Sequence, residues 1–407
     1  MGLFTKKHRQ SSALIDIGSA SVGGALVHLE EGSQPIIYYT ARIPVEIREI
    51  EGKPESIEDA VLRALTALDA VLLKEGAPEL RRGTGSGHVD HILVSVGAPW
   101  QKTQVRTETV QEEKPFLFTR SLLDATVRKS AVIPEDRMPS GESVIATILN
   151  GYEIEKPFGK HVRRADFVVL SSTIDTKLAE AIEKQLRKTY HNHNITLTAF
   201  APVAYSVFRD VFQHEKDYLV MDVSGEGTDL AFVKRGILTS VNNLPQGSNQ
   251  LLESMHAATR SQIQTATIGI PSSDIALEDP LAPILPEPVR MRHIDTTSGI
   301  GAGAWLDVLV AALRSFMTRY ALPRTLFLLA EADMRDFLKR HLDAPQMRAL
   351  WLTEEPLAII PVMPEHLAPF VHTKGEAQGD MYLSLLALHE YKTMQSGAPQ
   401  PVPKATT

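Results

Sequence analysis

Apolar runs interrupted by short polar, glycine-rich turns open both halves of the chain. Residues 13–30, "ALIDIGSASVGGALVHLE", and residues 217–236, "DYLVMDVSGEGTDLAFVKRG", each predict a strand, a tight turn and a second strand. Both first strands carry an acid close to their end, at Asp16 and Asp222. The chain therefore reads as two halves that repeat an architecture without repeating a sequence.

After Ser56, the apolar residues recur at helical spacing rather than at the spacing of a strand. Ser56 and Asp59 have the spacing of a capping box, and Gly76 is predicted to end this helix. The apolar face is formed by Ile57, Val61, Leu65, Leu68 and Leu72. Further helices are predicted at about 120–130, 175–188, 303–320, 333–342 and 379–392.

A compact inserted unit is predicted at about residues 100–165, with an alternating strand, a helix, and a second strand that turns at Asn150-Gly151. The expected organisation is a flexible tail over 1–10, a first lobe over 11–215 that contains the insertion, and a second lobe over 216–392. Five prolines mark 271–290 as a loop within the second lobe, and 393–407 is expected to be a disordered tail.

Composition narrows the class of protein. A length of 407 residues favours two or more domains, and a net charge of -7 with both signs interspersed gives no sign of nucleic-acid binding. The absence of cysteine excludes disulfides and thiolate metal sites. No apolar run approaches the ~20 residues that cross a bilayer, and the basic N-terminus has no apolar core behind it. We therefore expect a cytoplasmic protein.

The two turns have the composition of a phosphate site. Small residues let backbone N–H groups approach phosphate oxygens, and hydroxyls can donate to the same oxygens. An acid beside a polyphosphate requires a cation between them, and Mg²⁺ is held by one or two carboxylates plus phosphates. Asp16 and Asp222 are thus the candidate Mg²⁺ ligands. The candidate phosphate-binding residues are Asp16, Gly18, Ser19, Asp222, Ser224, Gly225, Gly227, Thr228 and Asp229.

In these two turns the chain resembles the actin-like ATPase superfamily, in the branch of the division protein FtsA and the pilus assembly protein PilM. The turns would be the phosphate 1 and phosphate 2 loops of that family, and the inserted unit falls where the branch carries a subdomain called SHS2. The stretches "ILNGYEIEKPFGK" and "LPQGSNQLL", the latter with Gly247, are also similar to that branch. The resemblance implies a duplicated two-lobe α/β fold of the ribonuclease H-like type that binds ATP and Mg²⁺.

One departure from the family bears on catalysis. The adenosine-contacting loop of the family has a Gly-Gly pair, where this chain has Ala330 and Glu331. A carboxylate there repels phosphates unless it turns outward towards the ribose hydroxyls, and side chains obstruct the close backbone approach of glycine. We expect nucleotide binding with weak or absent ATP hydrolysis, and no residue stands out as a catalytic base.

The resemblance leaves several functions open. The first is a scaffold for type IV pilus assembly that reaches the membrane through the tail of a membrane-anchored protein. The alternative is an FtsA-like adaptor of the cell-division ring, and a third is a sugar-kinase-like or chaperone-like ATPase. The C-terminal "MQSGAPQPVPKATT" lacks the amphipathic membrane helix of FtsA, which favours the pilus scaffold without direct membrane binding. Self-association into filaments stays open, because polymer contacts leave no sequence signature.

Overall fold

The computed structural model describes residues 8–130, 133–253, 299–351, 357–375 and 377–396. The strands are β1 Arg9–Ile17, β2 Ser21–Glu30, β3 Ile36–Pro44, β4 Glu49–Ile50, β5 Lys53–Pro54, β6 His91–Val96, β7 Gln101–Leu117, β8 Arg137–Leu149, β9 Tyr152–Glu153, β10 His161–Asp175, β11 Ile195–Ala199, β12 Tyr218–Val223, β13 Thr228–Lys234, β14 Ile237–Leu244, β15 Thr325–Leu329, β16 Ala358–Pro361 and β17 His372–Thr373. The α-helices are α1 Ile57–Val71, α2 Ala77–Thr84, α3 Arg120–Ser130, α4 Thr176–Tyr190, α5 Phe200–Val211, α6 Gly299–Met317, α7 Arg335–Leu342, α8 Pro345–Arg348, α9 Pro364–Leu367 and α10 Met381–Ser396.

Two sheets share one strand order. The first sheet runs β11-β6-β1-β2-β3-β17 and the second runs β14-β13-β12-β15-β16. In each, three successive antiparallel strands begin with a hairpin, and the first strand of the hairpin has a parallel neighbour on its other side, β6 beside β1 and β15 beside β12. The predicted two-lobe duplicated α/β architecture is confirmed.

Successive side chains of β1 pack into two different cores, and one of these cores joins the two lobes. On β1, Leu14 packs into a core that also contains α5, α10 and the β12–β13 hairpin, whereas Ala13 and Ile15 pack against α1 and α4. A third core covers the opposite face of the second sheet with α6 and α7. The first of these cores runs from one sheet to the other, so α5 and α10 join the two lobes.

The helix after Ser56 begins as predicted and ends differently. The Ser56 hydroxyl caps it by accepting from the Asp59 N–H at 3.1 Å. The prediction that Gly76 ends the helix is wrong: a π-helical turn over Leu72–Gly76 leads directly into α2, which ends at Thr84 with Gly85 as its C-cap. An added Cβ at Gly76 would lie 3.0 Å from Leu26 and Tyr39, so this glycine lets the helix pass close to the sheet.

The inserted unit forms a separate sheet with the order β7-β10-β8-β9, covered by α3. Asn150 and Gly151 adopt positive φ angles of 49° and 89° in the β8–β9 turn, as their sequence predicts. Strand β10 continues to Asp175, past the expected end of the insertion at about 165, because it pairs with β7 and β8 over nearly its whole length.

The ends of the chain differ slightly from expectation. Strand β1 begins at Arg9, inside the expected N-terminal tail, and α10 extends to Ser396, past the expected boundary at 392. The proline-rich 271–290 segment lies outside the described residues. Within the described ranges, no helix combines the length and apolar character needed to cross a membrane.

Candidate functional site

The first half of the site is a row of residues across the first sheet. Asp16 pairs with Ser95 on one side and Gly23 on the other, and Gly23 pairs with Arg42. Ser95 donates a hydrogen bond of 2.9 Å to one Asp16 carboxylate oxygen, and Arg42 donates one of 3.1 Å to the other. Arg42 reaches Asp16 across Gly23, because Gly23 has no side chain to block it.

The corresponding row of the second sheet holds a second acid. Asp222 pairs with Leu329 and with Asp229, and Asp229 pairs with Asn243. The buried Asp229 carboxylate accepts hydrogen bonds from the side-chain amides of Asn243 and of Gln101 in the inserted unit. Its oxygens are therefore engaged away from the first hairpin.

The ends of β1 and β12 meet at one small cavity. Asp16, Gly18, Asp222 and Ser224 line it, and its volume is about 30 Å³. The hydroxyl of Tyr382, at the start of α10, donates to Asp222 at 3.1 Å. The structure thus brings the two acids, which lie far apart in sequence, to the same polar cavity.

The two turns contact each other directly. The hydroxyl oxygens of Ser19 and Ser224 are 2.9 Å apart, and the backbone N–H of Glu226 donates to Ser19 at 2.8 Å. A Cβ on Gly225 would lie 2.7 Å from the Ser19 carbonyl carbon. The glycine expected to approach a phosphate approaches the opposite turn instead.

Other candidate residues close the turns rather than line the cavity. The Thr228 hydroxyl donates to the Gln246 carbonyl at 2.7 Å. An added Cβ on Gly247 would lie 2.3 Å from the Ser224 carbonyl oxygen, and one on Gly227 would lie 2.9 Å from Ala98. These residues hold the second turn against its surroundings.

Glu331 faces inward. It accepts a hydrogen bond from the Ser21 hydroxyl and lines the same cavity as Asp16. The outward orientation towards a ribose is therefore wrong, because Ser21 and the positive charge of Arg42 attract this carboxylate. Ala330 is buried at the end of β15 and borders a second, larger cavity of about 570 Å³.

Burial is the largest cause of the raised pKa values of the four acids in the site. It raises the pKa of Asp16, against which Arg42 acts in the opposite direction. The pKa of Asp222 is raised well above its ordinary value by burial and then by Asp229 and Asp16, and burial raises the pKa of Asp229 to about 6. The pKa of Glu331 is raised by burial as well. The site therefore favours either protonated acids or a compensating cation.

Arg42 supplies a positive charge in the site that no motif in the sequence predicts. Arg42 forms a fork with Asp380 through hydrogen bonds of 2.7 and 3.1 Å, and it donates to Ser21 at 2.8 Å. Its guanidinium carbon is 5.2 Å from the centre of the Tyr382 ring. The only local signal was the glycine pair at 23–24 inside an otherwise apolar strand, which indicates a close approach by another group.

The space between Asp16 and Asp222 does not fit Mg²⁺ with a triphosphate, because the cavity there holds about 30 Å³. The neighbouring cavity of about 570 Å³ has the size of an ordinary ligand site, but neither Asp16 nor Asp222 lines it. The contact of the two turns fills the space expected for phosphate, and Arg42 is hydrogen bonded to Asp16.

Comparison with solved structures identifies the fold. The chain is similar to the PilM-PilN type IV pilus biogenesis complex, with a TM-score of 0.52 and 14% identity, over 94% of this chain and 97% of the matched chain. It also matches, with a TM-score of 0.36 and 11% identity, a Bacteroides thetaiotaomicron protein with an actin-like ATPase fold and unknown function, over 95% of this chain and 99% of that one. The protein has the actin-like ATPase fold, and its fold resembles that of the pilus protein.

A third match is the ethanolamine utilization protein EutJ from Carboxydothermus hydrogenoformans, with a TM-score of 0.37 and 12% identity, over 94% of this chain and 90% of that chain. No protein-family model matches the sequence. No curated protein matches it either.

Proposed function

We propose that this protein is an actin-fold scaffold that binds the cytoplasmic tail of a membrane-anchored partner, in an extended conformation, along the inserted sheet. The observation that carries the proposal is an open groove of about 950 Å³ beside β8. The fold similarity to the chain of the PilM-PilN complex supports it, since that complex belongs to type IV pilus biogenesis.

The floor of the groove is a strand edge that can pair with a peptide. Strand β8 pairs with β10 along one side, whereas on its other side β9 pairs only with Ile148 and Leu149. One further bond joins the Ile154 N–H to the Thr147 carbonyl. In the described part of the chain, residues 142–146 line the groove with no strand beyond them. An exposed edge of this kind is where a peptide adds as an extra strand.

The walls of the groove supply apolar contacts and charge. Leu123 and Val127 of α3 line the groove, and so does Phe158, which lies beside Arg120 at the start of α3 and has 45% of its surface exposed. The groove carries both signs of charge, since acidic residues such as Glu153 and Glu155 line it together with the arginines at positions 120, 128 and 209. A matching peptide alternates apolar residues with charged ones, and its positive residues suit the cytoplasmic side of a membrane span, where lysine and arginine are enriched. The proposed location is therefore the inner face of the membrane, reached through the partner.

Nucleotide has no role in this proposal, because the peptide groove lies on the inserted unit and the residues that line it do not line the cavity of Asp16 and Asp222. Self-association into filaments stays a prediction, which sedimentation of the purified chain with and without a tail peptide would test.

Fluorescence anisotropy with synthetic peptides tests the proposal. The probes are the cytoplasmic N-terminal tails of single-span membrane proteins encoded beside this chain, and the C-terminal peptide of a tubulin-like division protein. We expect one tail peptide to bind, and N-methylation of alternate backbone amides in it to weaken binding about tenfold or more, since a methylated amide cannot donate to a strand edge. Binding of the tubulin-like peptide alone would replace this function with the division adaptor.

A further inference from the structure

The chain's own polar side chains surround the small cavity between Asp16 and Asp222, and a cavity of about 570 Å³ lies beside it. Four carboxylates surround one guanidinium there: Arg42 bonds directly to Asp16 and Asp380, while Glu331 and Asp222 line the same cavity. Arg42 is largely buried, and its donors reach three different residues. A guanidinium with this many charge-assisted partners is held in one position.

Two links cross from the first lobe to the second through this cluster. The Ser21 hydroxyl accepts from Arg42 and donates to Glu331, so one chain of bonds runs from β3 to the end of β15. Tyr382 donates to Asp222, and Arg42 lies over the Tyr382 ring. The turn-to-turn contact of Ser19 and Ser224 adds a third link a few residues away.

We infer that the lobes are held closed without nucleotide by this intramolecular clasp, in which Arg42 takes the position beside Asp16 that a divalent cation would otherwise fill. The clasp consists of Arg42, Ser21, Glu331, Tyr382 and Asp222. A bound cation and the Arg42 guanidinium repel each other at this distance, so binding of Mg-ATP and the closed clasp exclude one another. The inference is independent of the peptide groove, which lies on the inserted unit.

Two neighbouring residues, Gly23 and Asp380, make room for Arg42 and hold it in place. Gly23 leaves the space that Arg42 fills, since an added Cβ would be 2.5 Å from the guanidinium. Asp380 receives the Arg42 fork and also accepts from the Leu383 N–H at 3.0 Å at the start of α10. The same carboxylate therefore anchors both the arginine and the helix that carries Tyr382.

Calorimetric titration with Mg-ATP tests the clasp in the full chain. We expect no binding to the wild type up to about 1 mM, the upper range of ordinary enzyme affinities. Arg42→Ala is expected to bind at least about tenfold more tightly than that limit, because removal of the guanidinium frees Asp16. Arg187→Ala, which removes an exposed arginine paired with Glu183 on α4, is the matched control and should behave as the wild type. Micromolar binding to the wild type, or a folded Arg42→Ala that gains no affinity, would overturn the inference.

Two milder variants serve if Arg42→Ala does not fold. Ser21→Ala and Tyr382→Phe each remove one hydroxyl link and leave every charge in place. Hydrogen–deuterium exchange should then become at least about threefold faster in the turns at 18–20 and 224–227, because local opening controls amide exchange. Unchanged exchange in both variants would also overturn it.

Discussion

The Arg42 guanidinium and the Asp16 carboxylate lie 3.1 Å apart on either side of Gly23, in a single row across the first sheet. The row places a cation where the neighbouring strand has no side chain. Because of this register of three strands, Asp16 of a hairpin whose composition suits phosphate forms an ion pair with an arginine instead.

Gly23→Ala should displace Arg42. The new Cβ would lie 2.5 Å from a guanidinium nitrogen that cannot retreat without losing its bonds to Asp16 and Asp380. We expect the free energy of unfolding, measured with urea, to fall by about 1–3 kcal/mol. Gly141→Ala on β8 is the matched strand control, because an added Cβ there would meet no atom of the described residues within 4 Å.

A double-mutant cycle locates the cause of that loss. In an Arg42→Ala background the clash disappears, so Gly23→Ala should cost less than about 0.5 kcal/mol. If the glycine substitution costs the same in both backgrounds, Arg42 is not the group that requires Gly23.

Tyr382→Phe and Tyr218→Phe should have opposite consequences. The Tyr382 hydroxyl donates to buried Asp222, and its removal leaves that carboxyl group without this partner, at a cost of about 1–3 kcal/mol. Among the described residues, the buried Tyr218 hydroxyl has no hydrogen-bond partner, so its removal should leave stability unchanged or slightly higher. Urea unfolding of both variants checks the difference, and equal destabilisation would contradict the assigned bond.

The sequence predicts the two hairpins and their acids better than the other side chains that line this site. Asp16 and Asp222 stand out because each follows an apolar run and precedes a small-residue turn, and a repeated hairpin implies a shared cleft. Arg42 and Tyr382 could not be found in this way. They lie on β3 and at the start of α10, and only strand register and the packing of α10 bring them to the acids.

Local chemistry also explains which elements were predicted correctly. Asn150-Gly151 and the Ser56 cap act within a few residues, so sequence alone identifies them. Gly76 failed as a helix end because its role is set by the distant Leu26 and Tyr39, against which the backbone packs. The resemblance predicted the fold, whereas the direction of Glu331 depends on Ser21 in the other lobe.

Stability should depend on pH through Asp229. Burial raises its pKa to about 6 in the folded state, so the folded protein holds this proton more tightly than the unfolded chain. The associated stabilisation is present below about pH 4 and is lost as pH rises through about 6, with a magnitude on the order of 2–3 kcal/mol.

Asp229→Asn removes this titration. Urea unfolding between about pH 4 and pH 7 should show a smaller decline in the variant than in the wild type, by up to the same 2–3 kcal/mol. Asp336→Asn, at an exposed position of α7, should keep the wild-type slope. Parallel pH profiles for wild type and Asp229→Asn would show that this carboxyl does not carry the dependence.

Phe158→Ala should weaken binding of the tail peptide by about tenfold or more, the size expected of an aromatic anchor. Phe158 lines the groove and stacks on Phe118 with ring centres 5.7 Å apart. Tyr152 is 75% exposed, belongs to the β8–β9 hairpin and lies outside the groove lining, so Tyr152→Ala should stay within about twofold. Fluorescence anisotropy compares the two, and equal losses would place the peptide elsewhere.

The distance between the lobes is the most direct measurement of the clasp. The chain contains no cysteine, so Lys74→Cys and Lys339→Cys, at exposed positions of the two lobes, accept spin labels uniquely. Double electron–electron resonance should give one narrow distribution of label-to-label distances without nucleotide, and Mg-ATP should not change it. After Arg42→Ala the distances should become longer and their distribution broader. A broad distribution in the nucleotide-free wild type that narrows when Mg-ATP is added would show that nucleotide, rather than Arg42, closes the cleft.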